Sequence, residues 1–136
     1  MALPKLYIFD LDDTLWDGKQ LYPDVKNILH ILRKNNNFIY LASFNKKAPK
    51  YLQLLGIQQY FHGGAYGYIP FVTKYDMVKE CIDHMQRNYN GMLSSIEFYD
   101  DLYNNILNVS SKSNGNIRTV HIKNGLHWSH INKYNQ

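Results

Sequence analysis

Three aspartates fall within four residues, Asp10, Asp12 and Asp13 in the run DLDD, directly after the apolar run LYIF at 6–9. Two more, Asp100 and Asp101, follow the run SIEFY at 95–99. Like charges a few ångströms apart raise one another's pKa, so such a group is costly unless a cation neutralises it. Carboxylate oxygens at this density suit a hard cation, and Mg2+ is the one expected. Any single member reads equally well as a helix cap or a solvated turn residue. Five of them at the ends of two apolar runs are harder to account for that way. A hydroxyl, Ser43, ends a further apolar run, FIYLA at 38–42.

These groups need elements to position them. The run at 6–9 is wholly apolar and stops at a charge, the pattern of a strand buried on both faces of a parallel sheet, and 38–42 repeats it. Pro23 and Asp24 open DVKNILHILRKN, in which Val25, Ile28, Leu29 and Leu32 share one helical face. A second helix is expected over 48–55, presenting Tyr51, Leu52 and Leu55 and closed by Gly56. Residues 57–71 have no long period, contain Gly63, Gly64, Gly67 and Pro70, and read as a loop with room for one short strand. Thr73 stands as an N-cap before a helical stripe of Met77, Val78, Cys81, Ile82 and Met85. A strand at 95–99, a short helix at 102–109, a polar turn at 110–116 and a strand at 118–122 complete an α/β layered domain with right-handed crossovers. In an open parallel sheet, ligands bind outside the carboxyl ends of the strands, where Asp10, Asp12, Ser43, Asp100 and Asp101 would converge.

The stretch YIFDLDDTLW, with DLDDT at Asp10–Thr14, resembles the first motif, DxDx[TV], of the haloacid dehalogenase-like phosphohydrolases. With Trp16 and the later FYDD and TVHIKNG segments, the chain from about residue 6 to 125 is similar to the small, capless magnesium-dependent phosphatase group of that superfamily. The resemblance implies a three-layer Rossmann-like fold, with a central, mostly parallel sheet flanked by helices and no cap domain. It implies Asp10 as a nucleophile that becomes an aspartyl phosphate, and Asp12 as the general acid that then activates water. Mg2+ would be held by Asp10, the backbone carbonyl of Asp12 and the Asp100–Asp101 pair, with Asp101 the better direct ligand. Ser43 matches the second motif's phosphate-binding hydroxyl, and Thr14 would brace the nucleophile loop. The third motif's lysine fits Lys74, with Asp100 fixing its ammonium; Lys79, Lys46 and Lys47 are the alternatives.

The residue chemistry agrees with that reading. A carboxylate attacks a phosphate dianion poorly because both are negative, so a metal must neutralise charge and orient the attack. The Ser43 hydroxyl, backbone N–H groups around Leu11 and Asn45, and a lysine could bind the equatorial phosphoryl oxygens. Neither the region after Trp16 nor the roughly 30 residues from Ser43 to Lys74 can house a folded cap, so the crevice should be open. Its rim is expected from several of the aromatic residues Tyr60, Phe61, Tyr66, Tyr68, Phe71 and Tyr75, the rest filling the core.

Composition narrows the alternatives. The 136 residues, 45% hydrophobic and 15% aromatic, suit a single folded domain, with 126–136 as a C-terminal tail. One cysteine, Cys81, excludes an internal disulfide and a cysteine-rich zinc site, and no apolar run is long enough to span a bilayer. The expectation is a cytoplasmic protein with no membrane partner. The net charge of +4 comes from 15 Lys plus Arg, of which 3 are Arg, so a nucleic-acid groove is not favoured. His127 and His130 form the only closely spaced histidine pair, and they read as coincidence rather than as zinc ligands. The expected function is a Mg2+-dependent phosphomonoesterase acting on an aryl, protein or sugar phosphate. Its partners would be a phosphorylated small molecule or phosphoprotein, with a homodimer allowed. The alternatives are a nucleic-acid end phosphatase, a catalytically inactive binding module of the same fold, and a phospho-accepting signalling domain.

Overall fold

The computed structural model describes residues 3–68 and 70–131. Five strands, β1 (Lys5–Phe9), β2 (Phe38–Ser43), β3 (Gly63–Tyr66), β4 (Ser95–Asp100) and β5 (Arg118–His121), form one sheet in the order β3-β2-β1-β4-β5. Every pairing is parallel, with Phe9 opposite Leu41 on one side and Tyr99 on the other. This is an α/β Rossmann-like fold. The helices are α1 (Val25–Lys34), α2 (Ala48–Leu54), α3 (Lys74–Asn88) and α4 (Tyr103–Lys112). Among the described residues no helix is long and apolar enough to cross a membrane.

Alternation along the central strands builds a core on each face of the sheet. Tyr7 and Phe9 of β1 and Ile39 and Leu41 of β2 join Val25, Ile28, Leu29 and Leu32 of α1 and Leu52 of α2. Leu6, Ile8, Tyr40 and Ala42 join Met77, Val78, Cys81 and Met85 of α3 and Ile106 and Val109 of α4. Because β1 and β2 are buried on both faces, their sequences are continuous apolar runs instead of alternating ones. Cys81 lies inside the second cluster, its Sγ 3.5 Å from the Leu41 carbonyl, and burial, with Glu80 nearby, pushes the thiol up to about 12.

The end of α4 and the segment from residue 126 differ from the sequence reading, and the short strand it allowed in 57–71 is present. Residues 110–112 extend α4 instead of starting a turn, and Asn114 and Gly115, both at positive φ, end it. The short strand in 57–71 exists as β3, with only Ala65 of its four residues buried. A side chain at Gly64 would place its Cβ 2.7 Å from the Leu41 carbonyl, so glycine is what lets this strand approach β2. The segment from residue 126 is not a tail through residue 131. Leu126 and Ile131 are buried in the first core cluster, and the Trp128 N–H donates to the Asp24 carboxylate at 3.2 Å. The remainder of the expected tail, 132–136, lies outside the described residues.

Candidate active site

After β1 the chain runs outward on one side of the sheet to β2 and β3 and then crosses to β4 and β5 on the other. The reversal leaves a crevice at the carboxyl end of β1, and Asp10 is the first residue beyond that end. The Asp10 N–H donates to the Tyr99 carbonyl at 2.9 Å, so the neighbouring β4 holds the start of this loop. Thr14 Oγ1 lies 3.5 Å from Asp10 Oδ2, and the Leu11 carbonyl accepts the Leu15 N–H at 2.9 Å, closing a tight turn in which Asp13 takes φ 60°. The Leu11 side chain is in the core.

Lys74 reaches this loop from the first turn of α3. Thr73 caps that helix: its hydroxyl accepts the Asp76 N–H, and the Asp76 carboxylate accepts the Thr73 N–H. The Lys74 ammonium, almost fully buried, lies 3.0 Å from Asp10 Oδ1, 3.3 Å from Asp100 Oδ2 and 2.8 Å from the Ala42 carbonyl. Asp100 has three partners, because Oδ1 also accepts the Leu102 N–H and Oδ2 the Asn105 amide. Asp101 is half-buried and closes a group in which one carboxylate oxygen from each of Asp10, Asp100 and Asp101 lies within 4.8 Å of the others.

Three carboxylates thus stand together with one ammonium, which pairs with Asp10 and Asp100 and not with Asp101. Burial pushes the Asp10 carboxyl up to about 8, with Asp100 and Asp101 adding to the rise and Lys74 opposing it. Burial, with Asp100 beside it, also raises Asp101. Desolvation alone would lower Lys74, but Asp10 and Asp100 outweigh it and hold the ammonium above the ordinary lysine range. The all-oxygen donor set and the surplus of negative charge fit a divalent hard cation, which would supply the charge that a proton on the Asp10–Asp101 side otherwise supplies.

The structure brings Asp10, Lys74, Asp100 and Asp101 into direct contact and separates the Asp12 carboxylate from them. Asp12 Oδ1 accepts the Trp16 indole N–H at 2.9 Å, and Oδ2 lies 3.4 Å from the Asn45 side-chain amide. Ser43 is buried, and its Oγ accepts the Asn45 backbone N–H at 3.1 Å. The Asn45 amide is therefore committed to Ser43 and does not point freely at a phosphoryl group. What Asn45 offers the crevice is its side chain.

The aromatic rim is narrower than the sequence suggests. Tyr60, Phe61 and Tyr66 pack on the first core cluster and Phe71 and Tyr75 on the second, because both faces of a small sheet must be covered. Tyr68, 71% exposed, instead stacks on Phe44 at 4.5 Å between centroids, and the Lys74 Nζ lies 5.2 Å from the Phe44 ring. Phe44 was not distinguishable in the sequence from an ordinary core phenylalanine, although its position directly after Ser43 is the signal that could have marked it. Across the crevice, a cavity of about 450 Å3 is lined by Asp13, Tyr22, Asp101, Ile122, Lys123 and Asn124. His127 and His130 cap each other's turn, with the His127 N–H donating to His130 Nδ1 at 3.1 Å.

No family model matches the chain, and no curated protein matches it in sequence. Solved structures do share its fold. A haloacid dehalogenase-like family hydrolase from Streptococcus pneumoniae superposes with a TM-score of 0.71 at 14% identity, covering 97% of this chain and 89% of that one. A core domain from S. pneumoniae TIGR4, provisionally named a phosphoglycolate phosphatase, gives 0.65 at 18% identity over 93% and 90% of the two chains. An uncharacterized protein from Listeria monocytogenes serotype 4b gives 0.62 at 13% identity over 94% and 85%. The architecture is therefore of the haloacid dehalogenase type.

Proposed function

We propose that this protein is a Mg2+-dependent phosphomonoesterase working through an aspartyl phosphate on Asp10. The observation that carries this reading is the Lys74 ammonium held between Asp10 and Asp100 beside a third carboxylate, at the carboxyl end of the central strand. Asp10, the Asp12 backbone carbonyl and Asp101 would hold the Mg2+, which supplies charge neutralisation and orientation for the phosphoryl group. Asp100, already committed to Lys74, Leu102 and Asn105, serves as the lysine's anchor.

The chain's own groups divide the work. Asp10 attacks phosphorus while the bond to the ester oxygen breaks, and Asp12 gives its proton to the departing oxygen. Asp12 then takes a proton from the water that attacks the aspartyl phosphate, releasing inorganic phosphate and restoring Asp10. Lys74, the Ser43 hydroxyl and the Leu11 amide offset the charge on the phosphoryl oxygens. Phe44 and Tyr68 support an aryl or phosphotyrosyl leaving group, since a ring laid on an exposed aromatic face gains about 0.5–1.5 kcal/mol beyond its area.

The test is hydrolysis of p-nitrophenyl phosphate with and without Mg2+, together with acid-quench trapping of the phosphorylated protein. Activity should vanish with chelator, and the label should map to Asp10 and be absent in Asp10→Asn. Full activity in excess chelator, or a label on Asp12, would overturn the mechanism.

A further inference from the structure

Asp12 is exposed, yet its carboxylate is held at both oxygens by unequal partners. The indole contact at 2.9 Å is a full hydrogen bond, whereas the Asn45 amide at 3.4 Å is at the limit of one. The partner on the strong side is itself fixed. Trp16 is 9% exposed, its ring lies 4.8 Å from that of Tyr51 on α2, and its carbonyl accepts the Asp13 N–H at 2.8 Å. Bridges from Trp16 to Asp12 and to Leu21 tie both sides of the loop to it. An indole anchored in this way cannot follow a swinging carboxylate, so the carboxylate is confined to the indole.

We propose that Trp16 is a positioning residue for Asp12, its indole N–H fixing Oδ1 so that Oδ2 is the oxygen presented for proton transfer. An indole nitrogen only donates, so the oxygen it holds must accept and cannot carry the transferable proton toward it. Oδ2 is the oxygen left to exchange a proton, because its long contact to Asn45 is readily replaced by one to the departing oxygen. This role rests on the phosphatase reading above, because it gives Asp12 a leaving group to protonate.

The experiment compares Trp16→Phe with the wild type on a p-nitrophenyl ester, whose phenolate departs without help, and on an alkyl phosphate, whose alkoxide needs a proton. Phenylalanine keeps a ring against Tyr51 while removing the N–H and part of the indole's volume, a packing loss that both esters report equally. Proton transfer is worth typically 10²–10⁴-fold, so misplacing the acid should lower kcat/KM on the alkyl ester by about tenfold or more beyond any loss on the aryl ester. Equal losses on both, or none on either, would overturn the positioning role. A wild-type protein that hydrolyses neither ester would overturn the phosphatase reading instead, a different result. The bond itself is read without turnover: in 15N-labelled protein the Trp16 indole proton should move upfield in Asp12→Ala. That resonance is assigned through Trp16→Phe or, should that variant not fold, through Trp128→Phe. An unmoved indole proton would overturn the proposal whatever the protein hydrolyses.

Discussion

In the proposed mechanism Lys74 would serve both chemistry and folding. Its ammonium neutralises part of a buried carboxylate group, so removing it leaves Asp10 and Asp100 facing each other without a cation. Lys74→Ala should therefore lower hydrolysis by orders of magnitude and also cost about 3 kcal/mol, because breaking a buried pair strands the remaining charge. A denaturant titration alongside the rate measurement separates the two effects, and Lys79→Ala, on the same helix, should show neither. At this scale much of the site was legible: DLDDT, the serine after an apolar run and the double aspartate are residue types that a fold does not place together without use. The roles proposed for Trp16 and Phe44 were not legible. A tryptophan or phenylalanine next to a strand is usually core, and only the three-dimensional contacts with Asp12 and Lys74 distinguish them.

The elements differ in how clearly they announce themselves. The first helix buries Val25, Ile28, Leu29 and Leu32, the face its periodicity defines, and Thr73 caps α3 as its position before the stripe suggests. The third strand, GGAY, carries no apolar run because it is an edge strand that buries one side chain and relies on close backbone approach to β2. Its entry is fixed by His62, whose Nδ1 accepts the Ile39 N–H at 3.0 Å and whose backbone N–H donates to the Ile39 carbonyl at 2.8 Å. Burial, helped by Arg33, holds this imidazole below the usual histidine range. Between its folded value and the unfolded value near 6.5, the unfolded chain binds the extra proton, so His62 is stabilising at neutral pH and loses that contribution as pH falls below about 6.5. Asp10 and Asp101, both raised, act in the opposite sense over this range, so the reading is a difference: the unfolding free energy of the wild type minus that of His62→Phe should fall from pH 7 to 5. Equal slopes would remove His62 from the account.

Across the whole molecule, the parallel sheet places a buried ion-pair group and the candidate site at opposite ends of its strands. At the half of the strands away from the crevice, buried Glu97 of β4 accepts the Tyr99 hydroxyl and pairs with Lys5 of β1 at 3.5 Å and Arg118 of β5 at 3.1 Å, so one carboxylate ties three neighbouring strands. Glu97→Ala should cost about 1–3 kcal/mol, since it leaves the buried Tyr99 hydroxyl without its acceptor, while Lys5 and half-exposed Arg118 can turn to water. Below its lowered melting temperature it should keep the wild-type kcat, and a large loss of rate there would show that the two ends of the sheet are coupled. The α/β class and the crevice at the strand ends followed from the alternation of apolar runs and helical stripes. The burial of Leu126 and Ile131 did not, because a short segment without regular periodicity gives no sign of which core it completes.

The chain's lone thiol also has a practical use. Cys81 is buried, bonded to the Leu41 carbonyl and pushed up to about 12, so maleimide and disulfide reagents at neutral pH find no thiolate on the native protein. A cysteine introduced at exposed Lys46, on the loop beside the Phe44–Tyr68 pair, would then be the single reactive sulfur. A fluorophore attached there would report occupancy of the crevice from the native fold, with the wild-type cysteine left in place.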